Sequence, residues 1–129
     1  MSSETPPRAG VRDTLRRWIP LGDVPGVAAR ALWARLEAGE PIQLVDVRTA
    51  LEHRQSRIAG AISAPILDWP AALDALGLDR ARPVLAICLS AHRSIPAVRM
   101  LRERGYQAAQ LDGGMLAWWA AKLPTESAS

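Results

Sequence analysis

The chain has 129 residues, 49% of them hydrophobic, with a formal net charge of +3 and a mean hydropathy near zero; these values fit one globular domain and exclude a disordered chain. No apolar run approaches the roughly 18–20 residues that span a bilayer, and the arginines are dispersed along the chain, with Lys122 the only lysine, so the concentrated basic footprint of a nucleic-acid binder is missing. Cys88 is the only cysteine, which excludes an intrachain disulfide and a Cys-x-x-Cys redox or metal pair, and the expected location is the cytoplasm, with neither nucleic acid nor membrane as partner.

The N-terminal stretch "MSSETPPRAGVRDTLRRWIP" carries charge but no apolar h-region, so no signal peptide is expected there. Residues 1–26 read as a partly ordered tail with a short helix over residues 12–18, and Trp18 as a side chain that docks on the domain or a partner. "VAARALWARLEAGE" has apolar Val27, Ala31, Leu32 and Leu36 at helical spacing, with Gly39 as a stop. "PIQLVDVR" predicts a buried strand. Thr49 and Glu52 stand in the capping-box relation, so a short helix is predicted to begin at Thr49, and His53 on it is expected to be exposed. "RIAGAISAPI" reads as a brief strand between loops. "DWPAALDALGL" predicts a helix with Asp68 as N-cap, Pro70 in its first turn and Gly77 at its end.

"RPVLAIC" is the second clean buried strand. A helix over "SIPAVRMLRERG" follows, with Ser94 as N-cap and Gly105 past its end. "QAAQLD" is a weaker strand candidate, and "GGMLAWWAAKLP" a turn and a helix that stops before Pro124. On that helix the adjacent Trp118 and Trp119 face about 100° apart, so Trp118 is assigned to the core and Trp119 to a partly exposed position. Strand and helix alternate, which predicts an α/β fold with a mostly parallel sheet covered on both faces. In such sheets ligands bind beyond the carboxyl ends of the strands. Cys88 ends one clean strand, and Asp46 and Arg48 end the other.

The loop from Cys88 to the next helix gathers unpaired N–H groups, and a tight curl of such groups makes an anion-binding nest at the positive end of the helix dipole. A sulfur at its centre is favoured as thiolate. Arg93 either adds a positive charge or holds the loop in shape. The alternative for Cys88 is a packed small residue at a strand end. His92 lies inside the loop, with its ring expected in solvent. Asp46 and Arg48 are expected to fix neighbouring loops through buried hydrogen bonds, and Arg54 and Arg57 either rim the pocket or are solvated.

Four stretches in this order resemble the rhodanese-like domains: "LVDVRTALEH", "RIAGAISAP", "CLSAHRS" and "LRERGYQAAQLDGGMLAWWAAKLP". The resemblance covers residues 27–124 and leaves 125–129 as a disordered C-terminus. It implies a three-layer α/β/α fold with a sheet of about five short strands. It also implies a sulfurtransferase that takes a sulfane sulfur from a donor such as thiosulfate and passes it to cyanide, a small thiol or a protein thiol. Cys88 is then the nucleophile that carries a persulfide. The backbone N–H groups of Leu89, Ser90, Ala91, His92 and Arg93, with the Arg93 side chain, bind the substrate. Asp46, Arg48 and Ser94 support them, and neither a metal nor an organic cofactor is required. The competing reading is a non-catalytic or regulatory module that binds a partner or senses reactive sulfur.

Ser56, Arg57 and Ala59 replace the usual Gly, His and Pro of the second stretch, and Ala91 replaces a common loop Gly. At positive φ an alanine costs about 1–2 kcal/mol. Four residues separate Cys88 from Arg93, whereas cysteine phosphatases have five. The nest is therefore expected to suit a single sulfane sulfur better than a phosphate.

Overall fold

The computed structural model describes residues 23–128. In chain order these form β1 (Gly26–Val27), α1 (Ala29–Glu37), β2 (Gln43–Asp46), α2 (Ala50–Gln55) and β3 (Ile62–Ser63). A 3-10 turn (Ile66–Asp68), α3 (Ala71–Ala75), β4 (Val84–Ile87), α4 (Ser94–Glu103), β5 (Ala108–Leu111) and α5 (Gly114–Ala120) complete the set. The strands make one five-stranded sheet in the order β1-β5-β4-β2-β3, with every neighbouring pair parallel.

The central strands alternate side chains between two cores, as the period of two requires. On β4, Val84 and Ala86 face one core, which α3 and α4 close with Leu73, Val98 and Leu101. Leu85 and Ile87 face the other, which α1 and α5 close with Leu32, Met115 and Trp118. Trp118 is fully buried, meets Trp33 edge-on with ring centroids 6.1 Å apart, and donates its indole N–H to the Pro124 carbonyl. Trp119 is partly exposed, as its spacing predicted.

Strand order fixes where a ligand crevice opens. β2 leads through α2 outward to β3, while its neighbour β4 leads through α4 the opposite way to β5. The chain therefore diverges just beyond the carboxyl ends of β2 and β4, the switch point at which parallel sheets bind ligands. The Val47 amide donates to the Ile87 carbonyl at 2.9 Å and holds the two strand ends together at that point.

Several local expectations need correction. Gly26 and Val27 form an edge strand on β5 rather than tail and helix start; the Gln110 amide donates to Pro25 O and the Asp112 amide to Val27 O. Asp68 is no helix cap. It lies in the 3-10 turn, and α3 begins only after Pro70, because Trp69 takes the extended conformation that a following proline favours and buries its ring with the indole N–H on Ala64 O. Ser94 is the first residue of α4, not its cap, and its hydroxyl turns away from the helix amides. The C-terminal segment, expected to be disordered, lies against the domain over residues 125–128: Arg57 and Glu126 exchange two backbone bonds of 2.9 Å, and the Ala128 amide donates to Arg54 O. The helix over residues 12–18 and the docking of Trp18 lie outside the described residues.

Candidate active site

Cys88 follows β4 directly and is 1% exposed. Residues 89–93 bend away from the strand and run into α4. Of the amides in this loop, that of Ala91 donates to Cys88 Sγ, at 2.9 Å. That N–H is aimed inward with Ala91 at φ +87, a conformation that costs a residue with a Cβ about 1–2 kcal/mol. The loop therefore turns back far enough to set one amide on the sulfur, with an alanine at the position of positive φ.

Three groups of contacts hold this turn. The first comes from α5, whose entry packs behind the cysteine. The Met115 amide donates to Cys88 O at 2.8 Å and the Leu116 amide to Leu89 O at 3.0 Å. This approach requires Gly114, because a Cβ there would sit on the Cys88 and Leu89 carbonyls and its φ is +58.

The second is the far end of the loop. The Arg93 guanidinium donates through Nη1 and Nη2 to the two Glu52 oxygens, at 2.7 and 2.9 Å. Glu52 also closes the capping box of α2, accepting from the Thr49 amide while its own amide donates to Thr49 Oγ1. The Arg93 hydrogen bonds, with those from Thr49, outweigh burial and hold the Glu52 carboxyl at about 2; Glu52 in turn raises Arg93 further above the usual guanidinium range. Arg93 thus spends two of its donor nitrogens on α2, which ties the end of the loop to that helix.

The third is Ser94, fully buried at the start of α4. Its hydroxyl lies 3.1 Å from Ala91 O and 2.7 Å from Oε1 of Gln110, a polar side chain buried on β5.

Beside the loop, Asp46 and Arg48 are each 1% exposed. Arg48 donates Nε and Nη2 to the two Asp46 oxygens at 2.9 and 2.7 Å, and Nη2 also reaches Ser56 O at 2.6 Å. The pair anchors the turn from β2 into α2, which is the scaffold role the sequence assigned to it. His53, expected to be exposed, is not: its Nδ1 lies 2.9 Å from Asp46 Oδ2 and its side chain is 13% exposed. The short helix lays its polar face on the ion pair, a juxtaposition that helical spacing alone cannot reveal. His92 is exposed as predicted, with Nδ1 3.2 Å from Ser90 Oγ. Arg57 does not rim the loop; it bonds Glu126 and the His53 carbonyl. Arg54 borders a separate cleft of about 500 Å³ with Leu51, Gln55, Ser127 and Ala128.

Sequence reasoning missed Gln110 and the tie from Glu52 to Arg93. Glu52 was visible as a capping residue, but nothing local marked its second partner. Among the described residues no group of three or more His, Cys, Asp or Glu is placed to hold a metal ion, and no helix is long and apolar enough to cross a membrane.

Comparison with known proteins agrees with the geometry. A family model described as "Rhodanese-like domain" matches residues 28–121. A sulfurtransferase of Allochromatium vinosum is 33% identical over 99 residues, covering 76% of this chain and 91% of that protein. The HTH-type transcriptional regulator Rv0324 of Mycobacterium tuberculosis is 39% identical over 109 residues, which cover 82% of this chain; the chain spans only 47% of that relative's length. Among solved structures, a rhodanese-like domain from Anabaena superposes with a TM-score of 0.72 at 32% identity, covering 81% of this chain and 80% of that one.

Proposed function

Because the chain belongs to the rhodanese-like domain family, we propose that it is a sulfurtransferase that carries a sulfane sulfur as a persulfide on Cys88. The observation that carries this reading is the single thiol at the switch point with the Ala91 N–H on its sulfur at 2.9 Å. The Cys88 thiolate attacks the outer sulfur of a donor such as thiosulfate. A new S–S bond forms to Cys88, the S–S bond of the donor breaks, and sulfite leaves with its electron pair. The terminal sulfur keeps one negative charge, and the loop amides from Leu89 to Arg93 are the donors that stabilise it. Cyanide, a small thiol or a protein thiol then attacks that sulfur and returns the Cys88 thiolate, so the cycle is ping-pong. The cytoplasm, where a lone thiol stays reduced, suits this chemistry.

The test is intact mass after mixing with thiosulfate, for the wild type and Cys88→Ser. A gain of one sulfur atom in the wild type only, discharged by cyanide, is the expected result. No adduct at any donor concentration overturns the reading.

A second reading is a regulatory module in which the same persulfide is a signal. Its support is the likeness to the Mycobacterium regulator. It expects loading of Cys88 with turnover too slow to consume the donor, and steady-state thiocyanate production separates the two.

A further inference from the structure

The loop alanine at φ +87 needs something to hold it, since an L-residue left to itself relaxes out of that region. Residues Leu89 and Arg93 are anchored by α5 and Glu52, but neither contact reaches the Ala91 peptide. Beyond its own N–H on Cys88 Sγ, the contact that does is the Ser94 hydroxyl, 3.1 Å from Ala91 O. Behind it stands Gln110, a buried amide on a strand whose other residues are alanine and leucine. Its side chain points to the α4 face, as alternation from Ala108 requires.

We propose that Gln110 is a positioning residue for the sulfur-carrying loop, acting through Ser94 to hold Ala91 in the conformation that aims its amide at Cys88 Sγ. The proposal rests on the reading of Cys88 as sulfur carrier and deepens it. One hydroxyl proton cannot bond both Ala91 O and Gln110 Oε1. A half-turn of the Gln110 amide, which leaves its shape unchanged, brings Nε2 to the Ser94 oxygen. Both bonds are then made at once: Gln110 donates to Ser94, and Ser94 donates to Ala91 O. The relay has a direction, and it ends on the peptide group of the strained residue. A glycine at position 91 adopts positive φ freely and needs no such hold, so the alanine and the glutamine belong to one device.

The test compares wild type, Gln110→Leu, Ala91→Gly and the double variant. Persulfide loading from thiosulfate is followed by intact mass, and Cys88 alkylation by iodoacetamide at pH 7 is timed separately. Gln110→Leu is expected to slow both by about tenfold or more, because a small misplacement at a reacting centre is costly. Ala91→Gly in that background is expected to restore both to within about twofold of Ala91→Gly alone. A Gln110→Leu protein as fast as wild type overturns the proposal. So does a loss that Ala91→Gly fails to repair, which marks Gln110 as a packing residue only. If wild type takes up no sulfur at all, the functional reading fails, while alkylation still decides the role of Gln110. If Gln110→Leu does not fold, Ser94→Ala with and without Ala91→Gly removes the middle of the same relay and gives the same two outcomes.

Discussion

Glu52 on α2 and Arg93 at the end of the cysteine loop, 41 residues apart in the chain, face each other through two N–H···O bonds of 2.7 and 2.9 Å. The carboxylate that caps one helix thereby sets the entry of another, and the loop between Cys88 and α4 is held between them.

This pairing gives the domain an acid sensitivity whose sign follows from the Glu52 carboxyl, lowered from 4.5 to about 2 on folding. A group lowered in this way adds stability that is complete above its unfolded value and disappears as pH falls through its folded one. Between those limits the unfolded chain takes a proton that the folded chain refuses. Both side chains are partly exposed, so the contribution is about 1 kcal/mol or less. Urea unfolding of wild type and Glu52→Gln is expected to show a constant gap above about pH 5, closing by about pH 2. A gap that persists to the lowest pH would show that the carboxylate charge is not its source.

Ala91→Gly is expected to raise stability. Relief of positive φ is worth about 1–2 kcal/mol, and the extra freedom of glycine in the unfolded chain takes back about 0.5–1 kcal/mol. The net gain is about 0.5–1 kcal/mol, or a rise in Tm of a few degrees for a domain of this size. Thermal unfolding measures it. A lower Tm would mean that the alanine methyl packs more favourably than its backbone angle costs.

Gly114→Ala should act in the opposite sense. The new methyl would meet the Cys88 and Leu89 carbonyls, and both are held in place by the Met115 and Leu116 amides. Neither backbone can retreat without breaking those bonds. A loss of about 2–4 kcal/mol is expected, together with slower alkylation of Cys88 as the loop is pushed off its seat. An unchanged melting curve would show that α5 can re-seat at no cost.

Much of this site is written locally and some of it is not. The strands before Asp46 and Cys88 are short apolar runs buried on both faces, so composition alone marks them, and the cysteine at the end of one follows. β1 is invisible because two residues become a strand only by pairing with β5. Asp68 looks like a cap until Trp69 claims the core and delays the helix. The contacts from Arg93 to Glu52 and from Ser94 to Gln110 join separate elements. No periodicity or capping rule can state them, because they exist only once the sheet has brought α2, α4 and β5 together.

The buried pair Asp46–Arg48 offers the strongest energetic test of the scaffold. Both side chains are 1% exposed, and the carboxylate accepts from Arg48 Nε, Nη2 and backbone N–H, with His53 as a further partner. Removing one member strands the other without water, at a cost of about 3–5 kcal/mol. Arg48→Met is therefore expected to be severely destabilising and to free the Ser56 carbonyl as well. Asp46→Asn keeps the shape but leaves the guanidinium charge uncompensated, so it too should cost several times more than a surface change. The double variant removes both charges. It is expected to be more stable than the sum of the single losses by about 1–3 kcal/mol in a double-mutant cycle read by urea unfolding. Purely additive losses would mean that the two residues act through packing rather than through each other. Cys88 alkylation in the double variant then reports whether the loop keeps its shape when the turn beneath α2 is held by neutral groups alone.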